Sequence, residues 1–201
     1  MNKELQKRVL EISYERKLSH IGSCLGVVEV LEEVDKVKKP EDIIVLDAAH
    51  GAVGYYVYLE KKGIANAEGL FEKHGVHQNR DIENQIWVSG GSLGLAASIG
   101  LGMAIANKER DVYVVTSDGA MMEGIWFEIL RIKADKKVDN LRIYCNANGW
   151  GAYDPIDVDE LERRVHTFCS DVVFVRTEVE GQQDHYKILT KEEYERAITD
   201  K

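Results

Sequence analysis

The sequence lacks the features that mark secreted, membrane and nucleic-acid-binding proteins. Its three cysteines lie far apart with no CxxC pair, which fits a reducing compartment. The amino terminus is charged and has no apolar signal core, and the uncharged stretch 86–107 is interrupted at 89–92 (SGGS). No Lys/Arg cluster is interleaved with aromatics, and the net charge is −9. These absences predict a cytoplasmic protein that binds neither nucleic acid nor membrane.

The rest of the composition is ordinary for a globular protein. The chain has 201 residues, of which 44% are hydrophobic and 30% are charged. No internal repeat, low-complexity tract or linker divides it. We therefore predict one α/β domain over 1–201, with four to five mostly parallel strands flanked by helices.

The stretch from Val112 to Trp150 organises the chain. Apolar runs at 112–116 and 141–145 predict two parallel strands. Between them, apolar residues spaced three and four apart predict a helix, whose inward face comprises Met122, Ile125, Trp126, Ile129, Leu130 and Ala134. Asp118 and Asn148 follow the two strands, at the edge where open α/β sheets bind ligands.

Two interpretations of Asp118 and Asn148 remain open on chemistry alone. Carboxylate and amide oxygens suit Mg²⁺ or Ca²⁺, and Gly119 would let a phosphate approach the backbone. The simpler interpretation makes Asp118 a helix cap and Asn148-Gly149 a turn, and residue chemistry by itself favours it.

Periodicity and turn residues predict the other elements. Gly22 and Gly26 predict a tight loop over 19–26, and Gly100 with Gly102 predicts that another backbone passes close to one helix. His74 is expected to be exposed. The predicted helices span 2–17, 27–37, 52–61, 67–73, 95–106, 157–168 and 190–198, and the other predicted strands span 43–46, 86–88 and 172–176.

Several loops together resemble the thiamine diphosphate motif of transketolases. The run DGAMMEGI at 118–125, with Asn148 lying 30 positions after Asp118, resembles the transketolase form of Gly-Asp-Gly followed by Asn. Four other segments resemble further loops of the family and occur in the same order along the chain. They are 19–23 (SHIGS), 49–51 (AHG), 75–77 (GVH) and 91–94 (GSLG). The tail from 184 to 195 resembles the amino-terminal subunit of two-piece transketolases. The resemblance implies a thiamine diphosphate-binding, diphosphate-domain fold.

The resemblance also implies which residues would bind the metal ion and the cofactor. Asp118 and Asn148 would bind Mg²⁺ (or Ca²⁺) through their side chains, and Trp150 through its backbone carbonyl. Gly119 would lie against the diphosphate of thiamine diphosphate. The residues that would present backbone or a ring to the cofactor are Gly91, Leu93, His50 and His185.

The resemblance also assigns catalytic groups. His20 and His77 would handle protons at substrate oxygens, and Glu123 would couple two active sites across a subunit contact. Taken singly, each histidine is more typical of a surface or core residue. Glu123 is equally typical of a solvated carboxylate in a first helical turn.

The sequence departs from the family at several positions. Ser117 replaces the first glycine of the motif, so the backbone before Asp118 must be ordinary. Asp47-Ala48-Ala49 replaces Ser-Lys-Gly. The pyrimidine-binding and carboxyl-terminal domains are expected on a separate chain.

The resemblance implies the amino-terminal subunit of a split transketolase. With a pyrimidine-domain partner, as an α₂β₂ assembly, it would transfer a two-carbon ketol unit between small sugars or sugar phosphates. The alternatives are the cofactor-binding half of another thiamine diphosphate lyase or decarboxylase, and a degenerate, non-catalytic interaction subunit.

Overall fold

A four-stranded parallel sheet forms the centre of the protein. The computed structural model describes residues 2–152, 154–177 and 186–199. The strands run in the order β1 (Ile43–Leu46), β2 (Val112–Ser117), β3 (Leu141–Ala147) and β4 (Val173–Arg176). β1 and β2 are buried along their whole length, as apolar strands covered on both faces should be. The predicted α/β fold with a mostly parallel sheet is confirmed.

Helices cover both faces of the sheet. They are α1 (Lys3–Glu15), α2 (Ile21–Asp35), α3 (Ala52–Lys61), α4 (Ala67–His74), α5 (Leu95–Ala106), α6 (Asp118–Met121), α7 (Gly124–Lys136), α8 (Val158–His166) and α9 (Lys191–Thr199). Two short 3₁₀ turns span Ala49–Gly51 and Ile82–Asn84.

Alternation along the strands separates two cores. Ile44 and Leu46 face a core shared with α1 to α4, whereas Ile43 and Val45 face a core shared with α5, α7 and α8. α9 packs back on α1, where the rings of Tyr14 and Tyr194 stack with centroids 4.3 Å apart. No helix in the described ranges is long and apolar enough to cross a bilayer.

The loop predicted over 19–26 is wrong from Ile21 onward, because α2 begins there. His20 precedes the helix with a left-handed φ of 59°. Gly26 lies inside α2, where an added Cβ would lie 2.5 Å from the amide of Asn146 on β3. Glycine at this position therefore permits close packing between helix and strand, which a local pattern does not distinguish from a turn.

The strand predicted at 86–88 is also wrong. Ile86 forms only an isolated bridge with Asp81, and its side chain is buried by tertiary packing. The close backbone approach predicted for the glycine-rich helix is not found in the described part of the chain. The nearest neighbour of Gly100 is the Val114 side chain, and Gly102 faces open space.

The predicted inward face of the central helix is only partly correct. The helix is interrupted between Met121 and Gly124, so Met122 is half exposed. Ala134 is exposed, whereas Trp126 is fully buried as predicted. His74 is not exposed: its side chain is 3% exposed and lies 3.1 Å from Asp81 Oδ2.

Candidate active site

One cavity of about 410 Å³ opens at the carboxyl ends of β1, β2 and β3. It brings together every predicted site residue that lies in the described ranges: His20, His50, His77, Gly91, Leu93, Asp118, Gly119, Glu123, Asn148 and Trp150. His185 lies outside the described residues. The individual roles of these residues stay predictions, but residues from six separate segments do meet in one place.

Asp118 is the most buried acidic residue of this cavity. It is 1% exposed, and its Oδ1 and Oδ2 accept the backbone N–H of Gly119 at 2.8 Å and of Gly149 at 2.7 Å. Burial raises the pKa of Asp118, and the hydrogen bond from Gly149 opposes that shift most strongly. Within 2–152, 154–177 and 186–199, no cationic side chain pairs with this carboxylate.

The helix-cap interpretation of Asp118 is wrong. Ser117 is the N-cap of α6, with an extended backbone at φ −125° and an Oγ that accepts the N–H of Ala120 at 3.2 Å. The backbone before Asp118 is therefore ordinary, as predicted. The turn interpretation of Asn148 is correct in its geometry, since Gly149 has φ +80° and Asn148 Oδ1 accepts the Trp150 N–H at 2.9 Å.

The start of α6 and the loop after β3 approach one another. A Cβ built on Gly119 would lie 3.7 Å from Gly151 Cα and 3.9 Å from the Trp150 carbonyl oxygen. That carbonyl thus lies near the start of α6, and glycine at 119 leaves the space beside it open. At Gly91, φ is +138° and an added Cβ would also meet open space. Both glycines widen the cavity.

The donor set fits a hard divalent cation bound together with an anion. In the described part of the chain, no group of three or more His, Cys, Asp or Glu side chains could hold a metal alone. The cavity offers three oxygen ligands of the kind that Mg²⁺ binds alongside substrate phosphates. They are the Asp118 carboxylate, the second lone pair of Asn148 Oδ1 and the Trp150 carbonyl. A buried carboxylate without a cationic partner also favours a cation there.

Two histidines lie side by side on one wall. The ring centroids of His20 and His50 are 5.7 Å apart, and Ser19 Oγ lies 3.0 Å from His20 Nδ1. His20 is held in a left-handed conformation, which side chains other than glycine rarely adopt and which concentrates at functional sites. His77 reaches the cavity from the loop after α4 and is exposed.

The walls carry acids and imidazoles. In the described ranges, the lining includes Asp118, Glu123 and Asp154, together with the three histidines, and contains neither lysine nor arginine. Glu123 and Met122 form an exposed rim next to the start of α7. An anionic ligand would therefore depend on a metal ion, on imidazolium groups and on backbone N–H groups for its counter-charge.

Several lining residues were not foreseen. The loop after β3 folds back through a bridge between Trp150 and Pro155, which brings Asp154 and Ile156 to the cavity. Turn-forming residues such as Gly149 mark this loop in the sequence, but they do not indicate its direction. Tyr186 contacts His20 edge-on with centroids 5.2 Å apart, and no sequence pattern signals that contact. The other lining residues that the sequence missed are Ser23, Ala49, Ser117, Met122, Gly151 and Ala152.

The chain is similar to proteins of one enzyme group. A family model described as 1-deoxy-D-xylulose-5-phosphate synthase matches residues 1–197. One subunit of the apulose-4-phosphate transketolase of Phocaeicola vulgatus is 31% identical over 159 residues, which cover 68% of this chain and 55% of that protein. The corresponding protein from Actinobacillus succinogenes is 29% identical over 181 residues, covering 76% and 64%. A 1-deoxy-D-xylulose-5-phosphate synthase of Fusobacterium nucleatum is 29% identical over 150 residues, covering 72% and 24%.

Solved structures agree on the fold. The transketolase of Leishmania mexicana matches with a TM-score of 0.63 at 17% identity, covering 79% of this chain and 29% of that one. The transketolase of Campylobacter jejuni subsp. jejuni matches with a TM-score of 0.63 at 17% identity, covering 82% and 32%. At this identity the likeness shows the fold alone. The chain spans less than two thirds of the length of each of these relatives.

Proposed function

The chain belongs to the family of transketolase and 1-deoxy-D-xylulose-5-phosphate synthase amino-terminal domains, and from that premise we propose that it is the diphosphate-binding subunit of a split transketolase-like enzyme. In this proposal a second chain carries the pyrimidine-binding domain, and the two together transfer a two-carbon ketol unit between sugars. The observation that carries the proposal is the single cavity in which Asp118, Asn148 and Trp150 meet His20, His50 and His77.

The proposed cofactors are thiamine diphosphate and Mg²⁺ (or Ca²⁺). When bound, thiamine diphosphate supplies the electron sink for cleaving a carbon–carbon bond beside a carbonyl. Asp118, Asn148 and the Trp150 carbonyl would hold the cation against the diphosphate. Gly119, Gly91 and Leu93 would border it, and the space beside both glycines supports this arrangement.

The histidines supply proton chemistry in this proposal. A neutral imidazole accepts a proton from a sugar hydroxyl and an imidazolium returns it near neutral pH. His20 and His77 are assigned this role at the substrate oxygens. His50 is assigned to the diphosphate through a ring N–H. The adjacency of the His20 and His50 rings supports a shared wall for cofactor and substrate.

A partner chain is part of the proposal for three reasons. The relatives that this chain covers to 55% and 64% of their length are named as subunits, whereas it covers only 24% of a synthase. The cavity lining in the described ranges provides no lysine or arginine for a sugar phosphate. Beside the cavity, α5 exposes Leu95 and Ile99 on a helix without charged residues, a surface typical of subunit contacts. We propose an α₂β₂ assembly, with Glu123 at the contact between sites.

The test is an activity and binding assay on the complex purified through this chain. We expect consumption of a ketose donor with an aldose acceptor, and calorimetric binding of thiamine diphosphate that requires Mg²⁺. Asp118→Ala should lose both, while Asp154→Ala, which removes another carboxylate of the lining, should retain Mg²⁺-dependent binding. Binding that is equal in wild type and Asp118→Ala would contradict the cofactor assignment.

The second candidate is a different thiamine diphosphate reaction on the same cofactor half. It is favoured by the family model and by the relatives named 1-deoxy-D-xylulose-5-phosphate synthase. Offering the complex a 2-oxo acid in place of the ketose distinguishes the two. Consumption of the 2-oxo acid alone would replace ketol transfer with this candidate. Failure of the complex to bind thiamine diphosphate at all would favour the non-catalytic interaction subunit.

A further inference from the structure

Asp47 is a fully buried carboxylate directly after β1. Its Oδ2 accepts the backbone N–H of Gly94 at 3.1 Å and the hydroxyl of Thr116 at 3.0 Å. The same oxygen accepts the indole N–H of Trp126 at 3.2 Å, and Oδ1 accepts the backbone N–H of Ala97 at 3.2 Å. Four donors, from the start of α5, from β2 and from α7, thus converge on one side chain.

These donors balance the charge of Asp47. Two of them, Gly94 and Ala97, belong to the amino terminus of α5, where the helix dipole favours an anion. In the described ranges no cationic side chain bonds Asp47. Burial raises the pKa of Asp47, and the hydrogen bond from Ala97 opposes that shift most strongly. The carboxylate itself does not line the cavity.

Each element tied to Asp47 leads into the cavity wall. Gly94 directly follows Leu93, and Thr116 lies two residues before Asp118. Trp126 lies three residues after Glu123, another lining residue. The network therefore joins three walls of the cavity at a point behind them.

We propose that Asp47 is a positioning residue that fixes the loop before α5 and the end of β2 relative to each other, so that Leu93 and Asp118 border the same ligand. This inference rests on the proposed function for the identity of that ligand. A serine, which the transketolase motif has at this place, carries one hydroxyl oxygen and accepts at most two hydrogen bonds. The four-donor network is therefore a property of the carboxylate.

The test compares Asp47→Asn with Asp42→Asn. Asparagine has nearly the same shape as aspartate, but one carboxylate oxygen becomes an NH₂ group. That group cannot accept the hydrogen bonds that the oxygen accepted. Asp42 is the matched control because it is also buried beside β1, at the opposite end, and accepts the backbone N–H of Lys39 at 2.8 Å and of Asp111 at 2.9 Å. Both variants are measured at the same temperature below their own melting points.

Two quantities are measured on the complex purified through this chain. The first is the Kd for thiamine diphosphate with MgCl₂, which Asp47→Asn should raise about tenfold or more above the value for Asp42→Asn. The second is hydrogen exchange of the Gly119 and Gly149 N–H groups that bond Asp118. It should accelerate in Asp47→Asn alone, because neither N–H contacts Asp47.

Each outcome decides the proposal. Equal Kd values and equal exchange in the two variants would overturn it. If Asp47→Asn does not fold, Thr116→Val removes one of the four donors without changing side-chain shape, and it should raise Kd and accelerate exchange to a smaller degree. If the wild type binds no thiamine diphosphate, the proposed function fails, and exchange at Gly119 and Gly149 still decides the role of Asp47.

Discussion

The contact between α2 and α3 allows a sharp prediction about Gly54. A Cβ added at Gly54 would lie 2.1 Å from the carbonyl oxygen of Cys24, and Cβ atoms essentially never come closer than 3.0 Å to another heavy atom. α2 and α3 must therefore separate by about 0.9 Å in Gly54→Ala. Because the obstacle is helix backbone, no side-chain rotation relieves it.

The expected loss of stability combines two effects. Overpacking of this kind costs about 1–3 kcal/mol, and a contact with backbone belongs at the upper end. Alanine recovers about 1 kcal/mol of helix propensity. Gly54→Ala should therefore lower the free energy of unfolding by about 2 kcal/mol and the melting temperature by about 4–8 °C.

The same substitution should also perturb the candidate site. His20 lies immediately before α2 and His50 lies two residues before α3, so separating the helices moves their rings apart. We expect weaker Mg²⁺-dependent binding of thiamine diphosphate, measured by calorimetry at a temperature where the variant is folded.

The matched control is Gly102→Ala on α5. An added Cβ there meets nothing within 4 Å, so the gain in helix propensity should raise the melting temperature by about 2–4 °C. Thermal unfolding followed by circular dichroism measures both variants. A Gly54→Ala protein as stable as the wild type would refute the close packing of α2 against α3 and, with it, the reasoning about the histidine pair.

The remaining predictions concern the proposed cation ligand, one ion pair, the thiols and the uncharged face of α5. Asp118→Asn should raise the Kd for thiamine diphosphate with Mg²⁺ by about 100-fold or more in calorimetry, and an unchanged Kd would exclude it as a ligand. Burial raises the pKa of Asp81, but hydrogen bonds, the first from Lys73, outweigh it and leave that pKa at about 2. The stability that Asp81 contributes is therefore complete above its unfolded-state pKa of about 3.9 and is lost as pH falls through about 2. Between these two pH values, the free energy of unfolding measured with urea should depend less on pH in Asp81→Asn than in the wild type. All three cysteines are buried and burial raises each thiol pKa, so a disulfide reagent at pH 8 should label them only after unfolding; rapid native labelling would contradict this. Ile99→Lys should dissociate the partner chain, as measured by analytical sedimentation, without lowering the melting temperature. A complex that stays intact would show that the contact lies on another surface.

Much of the fold could be predicted because its signals are local. Apolar runs identified β1 to β4 to within two residues at each end, and the capping box of Thr190 and Glu193 identified α9. The errors arise where distant packing decides the outcome. Gly26 resembles a turn residue until Asn146 packs against it, and Ile86 resembles a strand residue although the helices around it bury it.

The candidate site was predicted from motifs, and its unforeseen parts depend on long-range contacts. Asp118 and Asn148 follow strands that pair in parallel, so their proximity follows from topology. Asp154 and Tyr186 lie at the cavity because of the direction that their segments take, and no local sequence pattern specifies that direction. Asp47 appeared only as a departure from a motif, because its four donors lie 47 to 79 positions away.

The composition of the cavity walls also has a consequence for how the proposed cofactor would enter. With a net charge of −9 and no lysine or arginine in the described lining, the protein repels a free diphosphate. A diphosphate that arrives already complexed with Mg²⁺ carries two fewer negative charges and meets less repulsion. Salt should therefore accelerate association, the reverse of its effect on a lysine-lined pocket, because it screens like charges over a Debye length of about 8 Å. If the chain binds thiamine diphosphate as proposed, the walls thus favour a route in which metal and cofactor enter together.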